Sequence, residues 1–547
     1  MKNKGFTLIE LLAVIVILAI IALIATPIVM NSIATAKSGA FKDSAYGAVK
    51  AAENYYASQF DVGSSFAGAT IDLATDTSLK YKGTKLDGSL IITNDGKISI
   101  NVWDGANCAI KTINVSDVII DGAKTTRTAC LTISSVDLSG ANAPVLATGM
   151  IPVYYDSTAN AGLGGWEKAD STNGNANYKW YDYNAQMWAN AVTVSVTNRA
   201  TYLAAASGTL IPEADILTYM VWIPRYGYQI ATGYHLSTTG TINVKFLAGI
   251  TNTTPDSTPI VTVPTYIGSV QTNYIKHPAF TFGTDELTGM WVAKFEASGT
   301  TVAVDSKPNV TSLRGITIGT MFDASRNMET NTRYGWGTTG TNIDTHLMKN
   351  SEWGAVAYLS KSIYGQNANE IWINPAGNYT TGCAGDSVSS ASTVGCLRTY
   401  ETNNGVKAST TGNIYGIYDI SGGAGEYTSG YVNNGNASLT TYGNSIILAN
   451  AKYKDIYPVT TDSDINNYNN AISIKGEAIY ETSSSYIGPT SWYADYSYIP
   501  YASVPWFIRG GNYTYNTTAG AFAFIANDGC VSSYNSFRFV VGVATGL

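Results

Sequence analysis

A single apolar stretch near the start constrains this chain more than any other feature. Phe6 to Thr26 reads FTLIELLAVIVILAIIALIAT, 21 residues whose only charged side chain is Glu10. At 1.5 Å per residue a helix of this length spans about 31 Å, the thickness of a bilayer's hydrocarbon core. Lys2 and Lys4 precede it, which holds the extreme N-terminus on the cytoplasmic side and sends the rest outward. A secretory signal peptide places its small-residue cleavage site after the apolar core. Here Gly5 lies before it, so cleavage at Gly5 retains the run. Glu10 is costly in such a segment, about 2.5–3.5 kcal/mol at mid-membrane and less toward the edge. The segment holds no cation to pair with it; an α-amino group freed by cleavage after Gly5 supplies one.

The string Lys4-Gly5-Phe6-Thr7-Leu8-Ile9-Glu10, followed by an apolar helix, resembles the type IV pilin and pseudopilin family. The resemblance implies a leader at residues 1–5, cut after Gly5 by a prepilin peptidase that N-methylates Phe6. It implies that Glu10 pairs with a neighbouring subunit's N-terminal amine during assembly. The partners it implies are other pilins and the pilus assembly platform. The location is single-pass in the inner or cytoplasmic membrane before assembly, then a bacterial pilus or cell surface. Pro27 removes a helix hydrogen bond, yet pilins tolerate a proline there, so one long helix is expected over 6–58. Ile33, Ala36, Ala40, Phe41, Ala45, Val49, Ala52 and Tyr56 recur mostly at three-to-four spacing and form one stripe. As in a pilin, this stripe should pack on a sheet.

Residues 59–130 carry β-type runs at 71–73, 80–81, 90–93, 97–103, 109–114 and 118–120, with a hairpin signal at Asn94-Asp95-Gly96. Cys108 and Cys130 bracket the end of this region. In an exported chain a disulfide between them is the favoured reading, with two buried thiols as the alternative. Residues 131–150 hold one charge, Asp137, and no aromatic ring, and read as a linker.

About 400 residues remain, and 547 in all imply several structural units. Charged residues are only 13%, against about 25% in ordinary globular proteins. With a net charge of −7 the chain lacks the basic surface that nucleic-acid binding needs, and 12% aromatic residues oppose disorder. Residues 151–205, with Trp166, Trp180 and Trp188, read as a small β-extension. Residues 206–547 read as one larger unit. Its landmarks are Val221-Trp222-Ile223-Pro224-Arg225, Trp291 to Glu296, Trp353 to Leu359, Gly412 to Asp419, Arg509-Gly510-Gly511-Asn512-Tyr513 and Ser536-Phe537-Arg538. Their order resembles the formylglycine-generating-enzyme (sulfatase-modifying-factor) family over roughly 215–545. That resemblance implies a C-type-lectin-like domain, and the whole chain then reads as α+β.

The resemblance does not extend to the family's chemistry. Its enzymes hold copper on two C-terminal cysteines, whereas this chain has Cys530 alone there. His235, His277 and His346 lack the spacing of the iron-dependent members, so no enzyme activity and no catalytic or metal-binding residue is expected. In Ser421 to Tyr427 the family's calcium-site asparagine is replaced by Gly423, and Glu426 remains. Calcium would then rest on carbonyls and Glu426, a weak case, and no cofactor is expected. Cys383 and Cys396, 13 apart, read as a local disulfide.

Residues 512–535, NYTYNTTAGAFAFIANDGCVSSYN, hold no Lys or Arg and are dense in Tyr, Asn, Thr and Ser. Binding loops use the same palette, because tyrosine supplies rigid contact area and small polar residues supply adaptable hydrogen bonds. A solvated loop fits equally well. The candidate ligand-binding set is Trp506, Asn512, Tyr513, Tyr515, Asn516, Asn527, Asp528, Tyr534 and Asn535. Trp492 and Trp506 fit either an aromatic face or a core. The layout also resembles lectin-fold proteins diversified by retroelements between RGG and GFR-like motifs. Together these features favour a minor pilin-like adhesin that presents a ligand-binding domain to a surface glycan or protein. The alternatives are a pseudopilin of a secretion or DNA-uptake machine and, least favoured, a tethered formylglycine-type oxidase.

Overall fold

The computed structural model describes residues 8–60, 69–92, 98–111, 117–120, 126–127, 130, 139–173, 175–255, 259–336, 343–457 and 461–543. It is mixed helix and sheet and divides into two compact units, residues 1–135 and 136–547.

The first unit is one helix on one sheet. α1 (Leu8–Phe60) continues through the position of Pro27. Five strands follow: β1 (Ala69–Asp72), β2 (Asp87–Ile92), β3 (Ile98–Trp103), β4 (Cys108–Lys111) and β5 (Ile119–Ile120). Each pairs antiparallel with the next in chain order. The Asn94-Asp95-Gly96 turn lies outside the described residues, but the strands it joins are antiparallel neighbours with Ile92 opposite Ile98. Lys80 and Tyr81, expected in a strand, lie in a bend region instead.

Phe41, Ala45, Ala48, Val49 and Ala52 bury one face of α1 against Leu90, Ile92, Ile98, Ile100 and Val102. Three alanines in that stripe let the helix approach the sheet closely. The buried stripe begins at Phe41. Ile33, Ala36 and Ala40, expected to belong to it, are exposed because none of the described strands of this unit packs on that part of the helix. Toward its start α1 is apolar and exposed, with Leu12, Ile15, Ile17, Leu18, Ile21 and Leu23 all more than half accessible. Among the described residues, no helix is long and apolar enough to cross a membrane. Cys108 is bonded to Cys130, which ties β4 to the chain beyond the sheet.

The second unit contains β6 (Ile151–Asp156), β7 (Gly165–Lys168), β8 (Asn190–Val194), β9 (Ile216–Pro224), β10 (Gly289–Ala293), β11 (Ile343–Leu347) and α2 (Asn350–Lys361). These are followed by β12 (Gly425–Val432), β13 (Trp506–Gly510), β14 (Gly520–Asn527), β15 (Asn535–Phe537) and β16 (Phe539–Val543). The main sheet runs β11–β16–β10–β9–β8–β6–β7. In a second sheet β13 lies between β12 and β14, and β15 runs parallel to β12.

Two expectations about boundaries change here. Residues 139–150 do not behave as a linker. The Asn142 side chain donates to Gly249 O and Thr288 O, and Trp222 and Trp291 donate their indole N–H groups to Asn142 O and Val145 O. The extended backbone there satisfies two buried tryptophans. Nor do residues 151–205 stand apart as an extension, since β8 pairs along β9 within the main sheet. Trp166, Trp180 and Trp188 are all buried.

α2, expected to have one apolar face, is buried on every side, and a Cβ on Gly354 would sit 1.9 Å from Gly476 O. Arg225, Arg509 and Arg538 are fully buried. Each ties distant segments through main-chain carbonyls: Arg225 to Thr251 and Phe280, Arg509 to Ala523, Glu477 and Ala478, Arg538 to Ala293 and Tyr418. A guanidinium has five fixed donors and suits this bridging role, because a buried carbonyl left unpaired is costly.

Candidate functional site

The structure separates the residues expected between the last two landmarks into a buried group, a half-buried turn group and a surface group. Trp506 belongs to the first. It lies in β13, between β12 and β14, is fully buried, and packs beside Gly443 and Gly529. It presents no face to a ligand, and neither does Trp492, which is equally buried. Asn535 is buried in β15 beside Gly425. Asn527 accepts hydrogen bonds from the Tyr427 hydroxyl and from Gly529 N–H. Asp528 accepts from Cys530 N–H, and Asn512 from the N–H and hydroxyl of Thr514, so both side chains shape their own turns. Tyr515 packs edge-on against Tyr496, ring centroids 5.8 Å apart. Asn516 has a left-handed backbone, φ 50°. Being polar marked these residues as ligand-facing, but in a turn-rich protein the backbone takes up side chains such as those of Asn512 and Asp528, while Asn516 Oδ1 is buried with no partner among the described residues.

Tyr513 and Tyr534 form the surface group. Both lie against the Tyr379 ring, at 5.0 and 6.3 Å and steep interplanar angles. Tyr534 is 48% exposed and Tyr513 half-buried, while Tyr379 is largely covered. The Arg314 guanidinium stacks on Tyr379, 3.6 Å from its centroid, and donates to Ser533 O. Five segments converge here through four main-chain bonds: Ser312 N–H to Tyr379 O, Gly315 N–H to Ser532 O, Tyr513 N–H to Gly423 O and Gly425 N–H to Tyr534 O. The Ser392 hydroxyl donates to Tyr513 O. Tyr379 itself has φ 59°, a left-handed conformation that costs a non-glycine residue about 1–3 kcal/mol. Burial pushes its phenol up, so it stays neutral. Arg314 and Tyr379 were missed from sequence. They lie about 200 and 134 residues before Tyr513, and nothing in their local strings links them to it.

The remaining candidate chemistry is occupied by structure. Arg538 takes both Glu426 oxygens, so the carboxylate considered for calcium is engaged. Among the described residues no group of three or more His, Cys, Asp or Glu side chains is arranged to hold a metal ion. His277 and His346 are buried, and His235 stacks on Tyr480 at 4.0 Å. Cys383 is bonded to Cys396, and Cys530 is a free thiol that its hydrogen bond with Asp528 pushes up, away from the reactive thiolate.

Gly5 and Phe6 lie outside the described residues; Glu10 lies in α1, with its side chain outside the description. The identity of this segment comes from comparison. Residues 1–26 match the prokaryotic N-terminal methylation motif. The chain carries a type IV prepilin signal. That signal supports a pilin-like or pseudopilin-like protein, a membrane-anchored and then surface location, and an assembly context with other pilins and a prepilin peptidase. No curated protein matches the chain carrying this prepilin signal.

Proposed function

We propose that this protein is a minor type IV pilin-like subunit that acts as a surface adhesin. Its N-terminal helix spans the membrane once before assembly and then docks in the filament, with cleavage after Gly5, methylation of Phe6 and pairing of Glu10 as the steps. The large second unit, which we read as lectin-like and non-enzymatic, faces outward and takes a surface glycan or protein. The observation that carries this reading is the joining of a prepilin signal to a second compact unit with an exposed tyrosine surface around Tyr379. An aromatic pair with one stacked guanidinium offers rigid contact area and a directional donor, as binding hot spots do.

The test has two arms. Glu10→Ala should abolish display on filaments while the protein is still made and membrane-associated. Tyr513→Ala with Tyr534→Ala should leave display intact and cut cell adhesion at least tenfold. Normal display of the Glu10 variant would remove the assembly reading, and normal adhesion by the tyrosine variant would remove the binding surface.

A further inference from the structure

A second feature shares no lining residue with the tyrosine surface and was not marked by any motif. The loop 365–372, the turn 405–412, the turn at Gln186 and Tyr493 enclose a cleft of about 840 Å³. Ligand pockets commonly measure about 300–1,000 Å³. Its lining is polar but nearly uncharged: Gln186, Gln366 and Asn369 contribute amides, Glu370 one carboxyl and Lys407 one ammonium, beside the half-buried Trp372.

The cleft is built in advance of any ligand. Gln366 donates to Lys407 O and Ser409 O, which locks one wall to the other and leaves its own carbonyl oxygen as an acceptor. Asn413 donates to Gln186 O, Gln186 to Ile363 O, and Trp372 N–H to Lys407 O. Lys361 donates to Asn367 O and to the Tyr493 hydroxyl, which itself donates toward Ala368 O and Asn369 O. Gly412, at φ +70°, keeps the wall open where a Cβ would meet the Gln366 amide at 3.1 Å.

Glu370 is the unsatisfied member. Among the described residues its carboxyl accepts no hydrogen bond and meets no cation, although it is half-buried and Asp495 stands nearby. Lys407 lies over the Trp372 ring, 4.4 Å from its centroid, with no carboxylate partner.

From this lining we infer that the cleft binds a neutral oligosaccharide of two or three rings. A phosphorylated ligand would need several cations, and Lys407 is the one cation in the lining. A lipid or aromatic ligand would need apolar walls, and here carbon faces come mainly from Trp372, Val388, Ala368 and Tyr493. A polyol donates to amide carbonyls and a carboxyl, accepts from amide N–H groups, and lays its C–H face on an aromatic edge. The fixed walls spare the ordering cost that flexible loops would add. This site is independent of the Tyr513–Tyr534 surface.

The test applies the full-length protein, held in a sugar-free zwitterionic detergent, to an array of neutral, N-acetylated and acidic oligosaccharides. At least one neutral oligosaccharide should be retained and be competed by the same sugar free in solution. Glu370→Gln combined with Asn369→Ala should weaken that binding at least tenfold with a thermal transition no lower than that of the wild type. Tyr513→Ala with Tyr534→Ala should change it less than twofold. Retention of acidic glycans alone, no retention, or wild-type binding by the cleft variant would overturn the assignment. Loss in the tyrosine variant alone would move sugar binding to the other surface and overturn it as well.

Discussion

Arg538 grips Glu426 inside the second unit, with Nη2 2.6 Å from one carboxylate oxygen and Nε 3.1 Å from the other, and both side chains are essentially inaccessible. Glu296 and Asp419 share this interior; burial pushes both of their carboxyls up, and at Glu296 the neighbouring Asp419 and Glu426 add to it. One guanidinium thus serves three buried carboxyl groups. Replacing it with methionine leaves the acids uncompensated. Arg538→Met should cost about 3–5 kcal/mol. The loss should be larger at pH 8 than at pH 5, because acid protonates the carboxyls and relieves the unpaired charge. Urea unfolding at the two pH values reads this directly; equal losses would show that the pair acts through shape alone.

Gly354 tests the burial of α2. With Gly476 O in the space a methyl would take, Gly354→Ala must push the two backbones apart, although helix propensity alone favours alanine. A net destabilisation of about 2–3 kcal/mol is expected. A neutral or stabilising result in thermal unfolding would mean that the contact is looser than described.

Thiol counting tests the cysteine assignment. The chain has five cysteines, and two bonded pairs leave Cys530. A maleimide should label one thiol per chain in denaturant before reduction and five after. In the folded protein that single label should go on slowly at pH 7, since Asp528 holds the Cys530 thiol up. Changing Cys383 and Cys396 to serine should cost about 3 kcal/mol, the value for closing a loop of this size.

Glu370 gives a pH signature. Burial pushes its carboxyl up to about 7, from an ordinary value near 4.5. The folded state therefore holds one more proton than the unfolded state between these values. Its stabilising contribution is complete below about pH 4.5 and is lost as pH rises through 7. Glu370→Gln should raise stability at pH 8 by about 1 kcal/mol, allowing for solvent screening of a partly exposed group, and should change little at pH 4.5. A thermal transition that shifts equally at both pH values would contradict this.

Local strings were legible where the relevant partners are close in sequence. The helix from Leu8, the run of short strands after it, and the two cysteine pairs follow from periodicity, turn residues and spacing. The candidate site was legible only in part. Tyr513 and Tyr534 stand out by composition, yet their common partner Tyr379 comes from a loop held by main-chain bonds to residues 310–312, which no spacing rule reaches. Trp506 misled for a related reason. Every residue of β13 is buried on both faces, so the alternation that separates inside from outside is missing. Asn512, Asn527 and Asp528 carry an ambiguous signal, because a side chain that closes its own turn has the same composition as one that waits for a ligand. The cleft around Glu370 was invisible, being assembled from segments at 186, 365–372, 405–412 and 493.

The position of β16 bears on how the protein matures. This strand, residues 539–543, fills the slot between β10 and β11, and Arg538 just before it fastens Ala293 and Tyr418. This slot, one strand in from the β11 edge of the main sheet, thus waits for residues 539–543, while the strands on both sides of it are already synthesised. Until then two strand edges and three buried acids stand open. A chain stalled or clipped before residue 538 therefore presents exposed edges and unpaired charge to proteases, so filling this slot marks the point at which the sheet becomes protected.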